Sequence, residues 1–159
     1  MHRFYRPWLA FTFALMMGLA LSAQAKPNFS GEWTMVPAKS DFGPLPVPTK
    51  MVRTITHADP AFKVVTVQTG GSMGDTTVEM SFSTDGKPQK NTLNGAPMTT
   101  LGKWDGTALV FNSTLLQQGT EVKIEDRYSL TDAGKTLTVL RKFETPDGGF
   151  TATIVLVKK

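Results

Sequence analysis

The chain has 159 residues, a formal net charge of +4 at pH 7 and no cysteine. Without cysteine, disulfides, thiolate metal sites and cysteine nucleophiles are all excluded. The basic residues are scattered rather than clustered, so no nucleic-acid partner is expected. Beyond residue 25 the sole histidine is His57, which is too few for a histidine-rich zinc site, and we expect no metal and no other cofactor.

The amino-terminal residues have the composition of a secretory signal. Arg3 and Arg6 precede an apolar run from Trp8 to Leu21, which is followed by the tetrapeptide S-A-Q-A. A positive head, a short apolar segment and small residues before the cleavage point predict a signal peptide over residues 1–25, cleaved after Ala25. The run is shorter than the ~20 residues that span a bilayer. The sequence therefore predicts a periplasmic or secreted mature chain over residues 26–159, a single domain with a net charge of about +2 and no membrane span.

Alternation of apolar and polar residues recurs along residues 26–159. In one such run, Phe62, Val64 and Thr66 alternate with residues of the opposite face, which is the period of a half-buried strand. Valine, isoleucine and threonine dominate the runs, as the pleated surface of a sheet favours. The pattern predicts about eight to ten strands, with candidate segments at residues 31–36, 50–57, 61–69, 75–84, 87–92, 97–104, 107–115, 119–130, 135–144 and 150–158.

Tight-turn signals separate these segments. Asp105-Gly106 predicts a two-residue hairpin loop with Trp104 opposite Thr107. Short strands joined in this way indicate an all-β fold, and we predict an antiparallel up-and-down β-barrel whose first and last strands pair and leave no exposed edge. An open sandwich is the alternative. Four prolines within Pro37–Pro48 exclude a central strand there.

The hexapeptide N-F-S-G-E-W at residues 28–33 resembles the start of a lipocalin or fatty-acid-binding protein, whose first strand opens with a G-x-W signature. The resemblance implies that Gly31 and Trp33 have structural roles. In those families the tryptophan plugs one end of the barrel and a basic residue on a late strand packs across it. Arg141 is the first candidate for that basic residue, and Arg127 and Lys158 are the next.

The chain as a whole also resembles small exported lipocalin-like bacterial proteins, mostly of uncharacterised function. This resemblance runs from N-F-S-G-E-W through the K-S-D-F-G-P segment to the D-G-K and A-G-K turns. It implies the barrel fold and an exported location, and it implies no activity.

Charged residues occur in phase with the apolar rows of several strands. Asp126 shares a face with Ile124 and Tyr128, and Arg141 shares a face with Val139. If these two strands form a hairpin, Asp126 lies beside or diagonal to Arg141, so we predict an inward-facing ion pair, since an unpaired inward charge is costly. Arg53 and His57 likewise lie on an inward row. The candidate ligand-binding residues of the barrel interior are Arg53, His57, Met80, Phe82, Phe111, Asp126, Tyr128 and Arg141.

Three interpretations of the inward charges remain open. The Asp126–Arg141 pair could be structural and close a barrel end beside Trp33; it could be a polar anchor in an apolar cavity; or Asp126 could be a general acid or base with His57 as its helper. His57 itself is interpreted either as a strand-end residue in or near solvent or as a base or ligand at the barrel mouth.

The leading hypothesis is an exported barrel that binds a small apolar or amphipathic ligand. The alternative is a solid-core protein-interaction or structural module of the envelope, whose contact surface would be the proline-rich Phe42–Pro48 segment. No catalytic constellation is visible, so the enzyme hypothesis comes last. The sequence identifies no protein partner.

Overall fold

The structure, a computed structural model, describes residues 25–159 and folds them into ten antiparallel strands; the predicted signal peptide lies outside the described residues, apart from Ala25. The strands are β1 (Gly31–Met35), β2 (Pro48–Ala58), β3 (Ala61–Gly70), β4 (Thr76–Ser83), β5 (Gln89–Leu93), β6 (Ala96–Asp105), β7 (Ala108–Gln117), β8 (Thr120–Thr131), β9 (Thr136–Thr145) and β10 (Gly148–Lys158). Short 3-10 turns lie at Pro37–Lys39 and Asp132–Gly134. Within the described part of the chain, no helix has the length and apolar character needed to cross a bilayer.

The strands form one sheet that curls into a nearly closed barrel, in the order β4-β3-β2-β1-β10-β9-β8-β7-β6-β5. The predicted pairing of the first strand with the last is confirmed, with Trp33 opposite Lys158. The expectation that closure leaves no edge is wrong, because β4 and β5 are the two ends of the sheet order and have no backbone ladder between them. We call this junction the seam.

One side chain bridges the seam in place of a ladder. The side-chain Oδ1 of Asn91 on β5 accepts the Ser81 N–H of β4 at 2.9 Å, and its Nδ2 donates to the Ser81 carbonyl at 2.9 Å. The amide group therefore presents to Ser81 the same donor and acceptor that a neighbouring strand would present.

The ten predicted segments agree with the observed strands to within two residues at each boundary, but one predicted register is wrong. Asp105 pairs with Ala108 and Trp104 with Leu109, so the hairpin loop consists of Gly106 and Thr107. This register places the ring of Phe111 against Gly102, where an added Cβ would lie 2.6 Å from the ring. In this register the absence of a side chain at Gly102 leaves room for the Phe111 ring opposite it.

The barrel has a packed end and an open end. The packed end, which we call the closed end, contains the turns at residues 59–60, 84–88, 106–107 and 132–134. Its core is a group of contacting aromatic rings, among them Phe29, Phe62, Phe111 and Tyr128, with Phe62 and Phe111 centroids 5.0 Å apart. Aromatic rings of this size supply most of the apolar area buried there.

Trp33 plugs the closed end, as the G-x-W resemblance implies. Its side chain is fully buried and its Nε1 donates to the Phe29 carbonyl at 2.9 Å. The cation above its ring is Lys158, with Nζ 5.3 Å from the centroid, so the first candidate, Arg141, is wrong. Gly31 makes room for this arrangement, because its φ is +143° and a Cβ there would lie 2.7 Å from the Lys158 stem.

The proline-rich residues 36–47, which we call the mouth segment, connect β1 to β2 across the open end. The expected absence of a central strand is confirmed. Asp41 forms a two-bond bridge with Thr153 of β10, and Phe42 is buried against the barrel interior. The alternative hypothesis, in which Phe42–Pro48 is a free contact surface, is therefore wrong for Phe42, whose ring faces inward.

The bridge at the seam gives a prediction for Asn91→Ala. Removing the amide leaves two backbone groups of Ser81 without their partner, and we expect the free energy of unfolding to fall by about 1 kcal/mol and the Ser81 amide to exchange faster with solvent. Urea titration and residue-resolved hydrogen exchange measure the two effects.

Asn112→Ala is the matched control, because Asn112 is an exposed asparagine on the outer face of β7. We expect it to leave Ser81 exchange unchanged. Equal effects of the two substitutions on Ser81 would contradict the bridging role of Asn91.

Candidate functional site: a cavity in the barrel

A cavity of about 860 Å³ occupies the half of the barrel next to the open end. Its rim, the mouth, is formed by the mouth segment, by the turns after β3, β5 and β7, and by the last residue of β9, Thr145. The interior is therefore not filled by side chains, and the solid-core expectation of the alternative hypothesis is wrong.

The wall of the cavity is mainly apolar. Methionine and aliphatic side chains alternate with a few aromatic rings, and flexible methionine adapts to irregular contents. The apolar wall includes Met51, Val64, Val78, Met80, Phe82, Met98, Leu115, Ile124, Phe143 and Ile154.

The predicted ion pair between Asp126 and Arg141 is confirmed, and it lies on the cavity wall. The two residues are direct cross-strand partners on β8 and β9. Arg141 Nε donates to Asp126 Oδ1 and Nη2 donates to Oδ2, both at 2.6 Å, so the pair is bidentate. Burial alone would lower the pKa of Arg141, but the adjacent carboxylate outweighs it and raises the pKa above its ordinary value. Trp33 does not line the cavity, so the pair does not close the end beside it.

Arg53 lies on the same wall without such a partner. Its side chain comes from the inward row of β2 and the residue is 4% exposed. Nη1 donates to the Tyr128 hydroxyl at 3.4 Å, a long hydrogen bond, and Nε is buried with no hydrogen-bond partner in the described part of the chain. Burial raises the pKa of Tyr128, which keeps its phenol neutral at physiological pH.

Several uncharged polar residues of the wall were not predicted from the sequence, among them Thr66, Gln68 and Ser113. Thr66 and Gln68 extend the inward row of β3, and Ser113 lies on β7, where its hydroxyl is 2.7 Å from that of Thr100. The period-two alternation through Phe62 and Val64 already assigns Thr66 and Gln68 to the inside, so this signal was available in the sequence.

Of the eight residues predicted for the site, six line the cavity: Arg53, Met80, Phe82, Asp126, Tyr128 and Arg141. The other two, His57 and Phe111, are buried in the closed end below it. That any of these residues contacts a ligand stays a prediction. Within residues 25–159 no group of three potential metal ligands comes together.

His57 has both ring nitrogens engaged at the closed end. Nδ1 accepts the Phe29 N–H at 3.2 Å, and Nε2, which must then carry the proton, donates to Asp59 Oδ1 at 3.0 Å. The residue is 6% exposed, so the expectation of a solvent-facing strand end is wrong. This geometry also does not bring His57 to the cavity wall where Asp126 lies.

Asp59 accepts hydrogen bonds from three side chains, one on β2, one directly after β4 and one on β6. Besides His57, the Thr84 hydroxyl donates to Oδ1 at 2.7 Å and Trp104 Nε1 donates at 3.3 Å. Desolvation raises the pKa of Asp59, but these hydrogen bonds and the nearby imidazole outweigh it and hold the pKa below its ordinary value of 3.8. The carboxylate thereby joins the turn after β2 to β4 and β6.

The fold is similar to that of several solved β-barrel proteins, at identities that establish the fold alone. Secretory abundant heat soluble protein 4 from Ramazzottius varieornatus aligns at 16% identity and a TM-score of 0.58, over 86% of this chain and 99% of that one. Zebrafish ileal bile acid-binding protein, complexed with cholic acid, aligns at 16% identity and 0.58, over 82% and 98%. The Schistosoma mansoni fatty acid binding protein, in complex with arachidonic acid, aligns at 11% identity and 0.54, over 82% and 96%.

These similarities place the chain in the fold class of fatty-acid-binding-protein-like and lipocalin-like barrels. No protein-family model matches the chain, and no curated protein matches its sequence.

The closed-end cluster gives a prediction for Asp59→Asn. Because the pKa of Asp59 is lower in the folded than in the unfolded protein, its ionised form stabilises the fold above pH 3.8, and this contribution is lost as the pH falls through the folded-state pKa. We expect the variant to be less stable than the wild type at neutral pH, by at most about 1 kcal/mol because the carboxylate is partly exposed. The difference should shrink in acid, and urea midpoints measured across the pH range test this.

Asp147→Asn is the control, since Asp147 is an exposed aspartate in the turn between β9 and β10. Its stability difference from the wild type should stay near zero at every pH. A pH-independent difference for Asp59→Asn would contradict the linkage.

Proposed function

We propose that the protein is an exported binding module that holds one small amphipathic molecule inside its barrel. The observation that carries this proposal is a cavity of about 860 Å³ whose apolar wall surrounds one convergent polar cluster. Ligand sites in proteins are typically concave, about 300–1,000 Å³ in volume and mainly apolar, with a few polar groups that fix orientation.

The apolar body of the ligand would lie against the methionine and aliphatic wall near the mouth. Its polar head would lie deeper, beside Arg53, Tyr128 and the Asp126–Arg141 pair. Burying the body in this wall supplies the affinity, and the polar cluster supplies the orientation. The neighbours with cholic acid and arachidonic acid support this mode of binding through the shared barrel.

Binding without catalysis is the proposed activity. The arrangement of His57 supports this, because both of its ring nitrogens are hydrogen-bonded in the closed end and neither faces the cavity. A general base must lie within hydrogen-bond reach of the proton that it removes.

The cavity gives a prediction for Val78→Trp. Val78 lines the cavity from β4, so an indole there would occupy the space of the ligand, and we expect the affinity for a fluorescent apolar probe to fall at least about tenfold, or 1.4 kcal/mol. Probe titration measures this. Native mass spectrometry of the protein, before and after organic extraction, is expected to show an excess mass that extraction removes.

Thr77→Trp adds the same side chain to the outer face of the same strand and is the matched control. It should bind the probe as the wild type does. A wild-type protein that binds no apolar probe and carries no extractable mass would refute the proposed function.

The export proposal rests on the amino-terminal sequence and has its own test. We expect signal peptidase to cleave after Ala25, since small residues stand at the positions that the enzyme requires. Amino-terminal sequencing of protein recovered from the periplasm or medium should begin at Lys26. Recovery of the chain in the cytoplasm with residues 1–25 intact would contradict export.

A further inference from the structure

Three residues of the cavity wall carry a formal charge among those that the structure describes. They are Arg53, Asp126 and Arg141. Every other lining residue is apolar or neutral, so the charge of the interior is the sum over these three side chains. That sum is +1 when each group is in its ordinary ionised state.

The carboxylate of Asp126 forms an ion pair with one of the two arginines, Arg141. Both of its oxygens bind Arg141 at 2.6 Å, and the two residues face one another across adjacent strands. A bidentate pair of this kind is neutral as a unit, and each partner fixes the other's orientation. Among the described residues, no hydrogen bond or ion pair joins Asp126 to Arg53, whereas two join it to Arg141.

Among the residues that the structure describes, Arg53 is consequently the cavity charge without a counter-charge bound to it. It is 4% exposed, and within residues 25–159 its Nε has no partner and its one hydrogen bond goes to the neutral hydroxyl of Tyr128. Burying a cation in this state is costly unless an anion approaches it. The guanidinium lies on the wall of the cavity, where the head of a bound molecule can reach it.

We propose that Asp126 determines the charge of the head group that the cavity accepts. By neutralising Arg141 it leaves one positive charge, at Arg53, and the site selects an amphiphile with a singly charged anionic head over neutral, cationic and doubly charged ones. A carboxylate or sulfonate leaves the interior neutral. A phosphate monoester leaves an unpaired negative charge in a medium of low dielectric constant, where such a charge interacts strongly. This inference rests on the proposed function, since it concerns the ligand of the same cavity.

The experiment compares amphiphiles that share one chain and differ in their heads. Dodecanoate, dodecanol and dodecyl phosphate are titrated calorimetrically into the protein at about pH 8, where the phosphate carries close to two charges. We expect dodecanoate to bind the wild type at least about tenfold tighter than either of the others. In Asp126→Asn the interior charge becomes +2, and the ratio of dodecanoate to dodecyl phosphate affinity should fall at least about tenfold.

Two further variants separate charge from structure. Glu125→Gln makes the same charge change one residue earlier, on the outer face of β8, where Glu125 binds Lys142, and it should leave the affinity ratio unchanged. The double variant Asp126→Asn/Arg141→Gln returns the interior charge to +1, and it should restore the preference for dodecanoate even if its absolute affinity is lower.

The outcomes distinguish this inference from the proposed function. If none of the three amphiphiles and no apolar probe binds the wild type, the proposed function itself fails. If all three bind equally, or if Asp126→Asn keeps the wild-type ratio, the protein is a carrier but Asp126 does not set the head-group charge. If Asp126→Asn does not fold, the double variant decides, because a preference for dodecyl phosphate in it would overturn the inference.

Discussion

The barrel depends on a five-residue strand. Backbone ladders join β2, β3 and β4 on one side and β5 to β10 on the other, and β1 is the element that pairs with both groups. Trp33 lies at the centre of this joint, opposite Arg53 of β2 and Lys158 of β10. Since the seam between β4 and β5 has a side-chain bridge in place of a ladder, losing β1 would leave two sheets. The fully buried indole and the cation above it therefore stabilise the closure of the barrel as well as one end of it.

The same inward rows build a solid core at one end and a cavity at the other. On β2 the row runs from Met51 at the mouth through Arg53 and Ile55 to His57 at the closed end. Aromatic side chains on neighbouring strands meet at the closed end and fill it. Nearer the mouth the rows carry mainly methionine, aliphatic and uncharged polar residues, with the stacked rings of Phe143 and Phe150 among them. A rigid floor beneath an adaptable wall follows from where the large rings occur along each strand.

Period-two alternation made most of this fold predictable. It places Asp126 and Arg141 inside, and because one tight hairpin joins their strands, their pairing could be predicted from local register. The position of Lys158 over Trp33 depends on the register of β1 against β10, which only barrel closure determines. The seam and the isolation of Arg53 have the same origin, since both depend on which strands meet around the barrel. Thr66, Gln68 and Ser113 were missed for another reason: alternation assigns Thr66 and Gln68 to the inside, but it does not tell which uncharged polar residues of an inward row border a cavity.

The cavity wall contains two arginines that differ in their partners: Arg141 binds a carboxylate, and Arg53 binds none among the described residues. Arg141 has a bidentate carboxylate partner, so this wall can pair an inward charge. Over residues 25–159, Arg53 has a buried Nε without a partner and one long hydrogen bond. A buried charge that lacks a hydrogen-bonded counter-charge destabilises the folded state. The unfilled space beside it costs packing contacts as well. Both deficits lie on one wall, and a molecule with an apolar body and an anionic head would remove both on binding. Such a ligand would raise the free energy of unfolding by mass action. The empty barrel, which lacks these contacts, would therefore be less stable than the loaded one.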